Sequence, residues 1–103
     1  MGRFVRVASV SDIPEGKLKA YEIEHVNLVI AHSPEGIYAL ANECTHDSEP
    51  MANGRIRGGD IMCIRHGARF DLRTGAVTAP PAIVPLDTYE VKVEGDDIFV
   101  YLG

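Results

Sequence analysis

An all-β scaffold carrying a loop-rich inserted unit is the fold class that this chain of 103 residues predicts. Three observations carry it. Apolar and polar residues alternate through most of the chain, and no helical period persists. Turn residues break the alternation at short intervals, as Pro14-Glu15-Gly16, Ser33-Pro34-Glu35-Gly36 and Gly95-Asp96, spaced as in antiparallel hairpins. From Cys44 to Gly75 the pattern is interrupted by a stretch in which Gly54, Gly58, Gly59, Gly67 and Gly75 supply tight turns.

Taken in order, RFVRVA (Arg3–Ala8), LKAYEIE (Leu18–Glu24), NLVIAH (Asn27–His32) and GIYALAN (Gly36–Asn42) read as strands. YEVKVE (Tyr89–Glu94) and DIFVYL (Asp97–Leu102) close the chain in the same way. SDIP (Ser11–Pro14) caps one short helical turn at most. There is no internal repeat and no low-complexity tract.

Length makes this one domain, residues 1–103, large enough to bury roughly 60–70% of its unfolded surface. A hydrophobic fraction of 46% and a charged fraction of 24% are those of a globular protein. No apolar run approaches the roughly 20 residues of a membrane helix. MGRFVRVASV has no apolar signal-peptide core, and Arg6 stands where a myristoylation signal needs Ser or Thr. A cytoplasmic protein with no membrane partner is the expectation. In a reducing compartment its two cysteines favour metal or redox chemistry over a disulfide. The net charge of −5 argues against nucleic acid, which needs a basic surface. That charge is uneven. Cys44–Gly75 holds five arginines against four acids, so the remainder carries −6.

The interrupted stretch also holds both cysteines and two of the four histidines, as Cys44-Thr45-His46 and Cys63-Ile64-Arg65-His66. In an extended segment, residues two apart point to one side, so Cys44 and His46 reach a common site. Three residues across a turn do the same for Cys63 and His66. The sixteen residues between His46 and Cys63 suffice for a strand, a turn and a return strand, which brings the pairs together. Three readings compete: buried cysteines beside incidental histidines, a tetrahedral zinc site, and a [2Fe–2S] centre with two histidines on one iron. Zinc sites usually answer a cysteine pair with a histidine pair. One mixed pair per loop lets both cysteines face one iron and both histidines the other.

C-x-H, sixteen residues, C-x-x-H, then Gly67, Phe70-Asp71 and Thr74-Gly75, resembles the Rieske iron–sulfur signature. The likeness is strongest to the small Rieske-type ferredoxins of multicomponent ring-hydroxylating dioxygenases. It extends through SDIPEG, GIYALANECTH and YEVKVEGDDIFVYLG, nearly the whole chain. The resemblance implies antiparallel sheets in a β-sandwich, with a cluster-binding subdomain over roughly residues 43–80. It assigns Cys44 and Cys63 to an inner iron and His46 and His66 to an outer, more exposed one. It places Pro80-Pro81 in a loop near the cluster. Two ferric ions, two sulfides, two thiolates and two neutral imidazoles carry no net charge when oxidised. Four thiolates would carry −2, so the histidines ease reduction.

The same resemblance implies a one-electron carrier that is not itself an enzyme and has no catalytic residue. Its partners would be a flavin-dependent NAD(P)H reductase and a terminal oxygenase that acts on aromatic hydrocarbons. Two alternatives stand beside it: the small Rieske-like subunit of an assimilatory nitrite reductase, and a zinc-stabilised interaction module. In high-potential relatives a disulfide clamps the two cluster loops, and Glu49 and Arg65 occupy the matching positions. Their opposite charges lead us to expect an ion pair. A serine and a tyrosine donate to cluster sulfurs in those relatives, where this chain has Ala68 and Phe70. His25 and His32 read as surface or internally satisfied residues, and Met51 and Met62 as packing beneath the loops.

Overall fold

The computed structural model describes residues 2–45 and 48–102; His46 and Asp47 lie outside the described residues. Strands β1 (Arg3–Ser9), β2 (Leu18–Ile23), β3 (Val26–Ser33) and β4 (Gly36–Ala41) precede the ligand segment. Within and after it come β5 (Arg55–Arg57), β6 (Asp60–Met62), β7 (Arg69–Asp71) and β8 (Val77–Ala79). The chain ends with β9 (Thr88–Tyr89), β10 (Val91–Glu94) and β11 (Asp97–Leu102). Two single-turn 3-10 helices, Val10–Asp12 and Met51–Asn53, are the helical content among the described residues. The first fits the short turn expected near SDIP, and the Ser9 N–H reaches Asp12 Oδ2 at 3.3 Å there.

Three antiparallel sheets form, in the orders β1-β11-β10, β2-β3-β4-β9 and β5-β6-β7-β8. The middle sheet is the partition between two cores. In β3, Leu28, Val29, Ile30 and Ala31 are all fully buried, so the middle of this strand has no solvent face. Leu28 and Ile30, with Ala39 of β4, join Val7, Ile98 and Val100 of the first sheet. Val29 and Ala31, with Leu40, join Ile61, Phe70, Cys44 and Cys63 on the other side. The strand's period of two thus divides four consecutive apolar residues between two cores.

The sheet β5-β6-β7-β8 shows the same logic in three-residue strands. Ile56 opposes Ile61, Ile61 opposes Phe70 and Phe70 opposes Val77, one apolar ladder packed in the second core. The alternate residues face outward. There Arg69 Nη2 meets Asp60 Oδ2 at 3.0 Å and donates to the Arg57 carbonyl at 3.2 Å. Exposed Arg55 and Arg57 on edge strand β5 place charge on an edge that would otherwise invite strand pairing.

Two expectations change. Tyr89–Glu94 is not one strand: it breaks at Glu90, with β9 pairing β4 and β10 pairing β11. The chain crosses there from the middle sheet to the first, and the Glu90 carbonyl accepts the Tyr101 N–H at 2.9 Å. Alternation continues through such a crossing, so periodicity cannot reveal it. Between β2 and β3, Glu24 and His25 form a two-residue turn with φ of 51° and 69°. Positive φ at both central positions is the turn type that suits a twisted hairpin, here made without glycine.

Gly54 joins the Met51–Asn53 turn to β5 where the main chain touches that of β6. A Cβ on Gly54 would stand 1.8 Å from the Met62 carbonyl oxygen, whereas one on Gly59 meets nothing within 4 Å. Neither position has the positive φ that strains an ordinary residue. Gly54→Ala should therefore cost about 2–4 kcal/mol, because two backbones must separate. Gly59→Ala should stay within about 0.5 kcal/mol. Urea-unfolding midpoints of the two variants check this, and equal stabilities would refute the contact.

Candidate metal centre

The two ligand segments close in the same way. The Cys44 N–H donates to the Glu49 carbonyl at 2.8 Å and the Cys44 carbonyl accepts the Ser48 N–H at 2.8 Å. The Cys63 N–H donates to Ala68 at 2.8 Å and its carbonyl accepts the Gly67 N–H at 3.1 Å. In each loop the fourth residue after the cysteine has positive φ, 66° at Ser48 and 75° at Gly67. This is a four-residue hairpin loop ending in a left-handed residue, and it puts each cysteine at the loop's base.

A third loop repeats the pattern without a sulfur ligand. The Asp71 N–H donates to Ala76 and its carbonyl accepts the Gly75 N–H, both at 2.8 Å, with Gly75 at φ 78°. Asp71 Oδ1 accepts the N–H groups of Arg73 and Thr74 at 2.8 and 3.0 Å, and Thr74 Oγ1 accepts that of Ala76 at 3.2 Å. Gly75 also admits the chain that follows: its carbonyl accepts the Leu86 N–H at 2.8 Å. A Cβ there would lie 1.8 Å from the Leu86 carbonyl oxygen. The FDLRTG stretch is therefore built as a hairpin support.

Cys44 and Cys63 are 1% and 0% exposed and share one core with Met51, Ala68, Phe70, Leu72, Ala82 and Leu86. Neither is in a disulfide. His66, by contrast, is exposed. Sulfur donors inside and an imidazole outside suit a group with one buried and one accessible pole. Paired buried thiols in an apolar core also suit a cation, because an ionised thiolate there requires an opposite charge. The donor chemistry thus fits the mixed thiolate–imidazole cluster. Among the described residues no three His, Cys, Asp or Glu side chains already converge as a metal site, and His46 lies outside them.

Contacts around the loops join them to the scaffold and to each other. Asn42, 6% exposed, accepts the Ala52 N–H at 2.8 Å through Oδ1 and reaches Asn27 Oδ1 through Nδ2 at 3.3 Å. It ties the Met51–Asn53 turn to the middle sheet. The Thr45 hydroxyl donates to the Val84 carbonyl at 2.6 Å, which straps the segment after Pro80-Pro81 to the first loop. That brings Val84, three residues after Pro81, against the loop that begins at Cys44. Ala82 and Leu86 anchor this segment in the core, while Ile83 and Val84 stand 88% and 58% exposed. The expected ion pair is present, with Arg65 Nη2 at 3.0 Å from Glu49 Oε1.

His25 is exposed in its turn, and His32 Nδ1 lies 2.7 Å from the Ile13 carbonyl, which can only accept, so the ring nitrogen donates. Met51 is fully buried in the cysteine core, as expected, and Met62 is half-buried. Sequence reasoning missed Asn42, Thr45 and the hairpin at Asp71. The available signals were Asn42 and Thr45 flanking Cys44 and, for the hairpin, the Asp71, Thr74 and Gly75 turn residues.

Known proteins agree with this geometry. The family model for the Rieske [2Fe–2S] domain matches residues 3–90. The ferredoxin component of the naphthalene 1,2-dioxygenase system of Pseudomonas aeruginosa is 32% identical, over 98% of this chain and 97% of that one. The ferredoxin of carbazole 1,9a-dioxygenase from Nocardioides aromaticivorans superposes with a TM-score of 0.89 at 32% identity, covering 94% of this chain and 95% of the other. A ferredoxin solved in complex with the oxygenase of carbazole 1,9a-dioxygenase gives 0.86 at 28% identity, covering 93% and 99%. With its paired cysteine hairpins on an antiparallel three-sheet scaffold, the chain belongs to the Rieske [2Fe–2S] family.

Proposed function

We propose that this protein is a one-electron carrier in which Cys44, His46, Cys63 and His66 hold a single [2Fe–2S] cluster. The observation that carries the assignment is the repeated hairpin, which sets two buried cysteines at equivalent positions, each followed within three residues by a histidine. When bound, the cluster supplies reversible one-electron chemistry. The cysteines anchor it in the apolar core, and His66 brings its outer edge to the surface. We take residues 43–80 as the unit that holds it.

The partners follow from the likeness to dioxygenase ferredoxins, one of them solved in complex with its oxygenase. They are a flavin-dependent NAD(P)H reductase as donor and a terminal ring-hydroxylating oxygenase as acceptor. The protein itself transforms no substrate. Around the cysteine loops, Ile64 of the second loop and Ile83 and Val84, strapped to the first through Thr45, are 44%, 88% and 58% exposed. They offer a small apolar rim for a transient contact whose orientation is set by charge. No helix among the described residues is long and apolar enough to cross a membrane, and we place the protein in the cytoplasm.

Purified protein should contain two irons and two inorganic sulfides per chain, and should pass electrons from such a reductase to such an oxygenase. His66→Ala should abolish the paramagnetic signature of histidine-ligated iron. Stoichiometric zinc without sulfide, in protein made with ample iron, would overturn the assignment.

Ala68 and Phe70 are both fully buried in the core that holds the cysteines, and neither side chain donates a hydrogen bond. Donors to the sulfurs favour the reduced, more negative state. Without them the potential should lie at the low end of the Rieske range, about −150 mV. Phe70→Tyr should raise it by tens of millivolts, since about 1 kcal/mol of differential hydrogen bonding is about 40 mV for one electron. Protein-film voltammetry reads both values, and a wild-type potential well above zero would refute the tuning.

A further inference from the structure

From the contacts between the two cysteine loops, we infer that Glu49 and Arg65 are positioning residues that hold those loops against each other and so govern how long the protein retains its cluster. The inference rests on the electron-carrier reading and adds a function for two residues outside its ligand set.

Glu49 is fixed from several sides. Its backbone carbonyl closes the first loop by accepting the Cys44 N–H at 2.8 Å. Its Oε2 accepts the Asn53 Nδ2–H at 3.0 Å, and its Oε1 faces Arg65 Nη2 at 3.0 Å. The Glu49 side chain is only 14% exposed, against 59% for Arg65. A carboxylate already oriented by Asn53 has surrendered its rotamer freedom in advance, so the ordering cost that cancels most surface ion pairs is reduced. Arg65 immediately precedes His66 in the second loop. Any displacement of that loop moves the imidazole with it, and the loop has just four residues between its closing hydrogen bonds.

The pair spans residues 16 apart in sequence, each in a different hairpin. The bond from Thr45 to Val84 fixes the first loop to the proline segment, and neither partner is in the second loop. The charged contact between Glu49 and Arg65 therefore acts directly on the spacing between the two halves of the ligand set. Being partly exposed on the arginine side, it is also open to screening by salt.

The test follows the bleaching of visible absorption in the iron-loaded protein at raised temperature, for wild type, Glu49→Gln, Arg65→Gln and the double variant. Each single variant should lose the cluster about fivefold faster, the size expected of a partly exposed pair near the top of its range. The double variant should lose it no faster than either single one. Raising NaCl from low to molar concentration should accelerate loss in wild type and leave the double variant unchanged. The charge-swapped protein, Glu49→Arg with Arg65→Glu, should recover part of the lost retention, since the Asn53 amide can turn its oxygen toward the new guanidinium. The paramagnetic signal of the histidine-ligated iron should broaden in the single variants and sharpen again in the swap. Loaded wild type with strictly additive single effects and no salt dependence overturns the clamp alone. A wild type that binds no iron or sulfide overturns the electron-carrier reading, and the clamp with it.

Discussion

Everything in this molecule hangs on β3, a strand buried on both faces. Leu28, Val29, Ile30 and Ala31 have no access to solvent, and each of the three larger side chains contributes about 1.5–3 kcal/mol by its burial. One set closes the scaffold against the first sheet, and the other forms the floor of the cysteine core. The cysteine loops are consequently not an appendage. Their ladder of Ile56, Ile61, Phe70 and Val77 needs the outer face of β3 and β4 to be buried, and strands of three residues could not stand alone without it. Stability of the scaffold and order at the site share one element.

On that floor a single backbone device serves two purposes. The hairpin based on Cys44, repeated at Cys63 and at Asp71, satisfies its own N–H and carbonyl groups at the base. Side-chain chemistry at the base residue is then free to vary. Cysteine there points into the core, whereas aspartate there caps the loop's own amides. A thiol at the buried base and an imidazole near the exposed tip divide one short loop between the dry interior and the surface. A carrier benefits from that division, since firm holding and close approach by a partner are opposing demands on one site.

Most of this was legible from the sequence where side-chain chemistry repeats at fixed spacing. The alternating strands, the ligand pairs and the strand-turn-return between His46 and Cys63 all follow from periodicity and chemistry, and β5 and β6 supply the last of these. The opposite charges of Glu49 and Arg65 foretold their contact. Features set by the tertiary structure left no such trace. The Glu24-His25 turn uses neither glycine nor asparagine, and its register is imposed by pairing of Ile23 with Val26. The break at Glu90 keeps the same alternation on either side, and β7 and β8 are too short for a period to register. Asn42 looked like the end of a strand, though its amide is what links the first loop's turn to the middle sheet.

The electrostatics of the cysteine core connect this architecture to its role. The interior around Cys44 and Cys63 is apolar, and Ala68 and Phe70 add no donor to it. Such surroundings penalise net charge. Neutral histidines in place of two thiolates remove two negative charges from the ligand set, which is what makes an apolar setting tolerable for it. The same setting then resists the extra negative charge that arrives on reduction, and the side chains of Ala68 and Phe70 offer no dipole to compensate. Low dielectric therefore acts in two directions: it favours a mixed ligand set over four thiolates, and it holds the potential down within the range that the mixed set permits. A carrier fed by a nicotinamide-derived electron needs both effects, a site easy enough to reduce and still reducing enough to pass the electron onward.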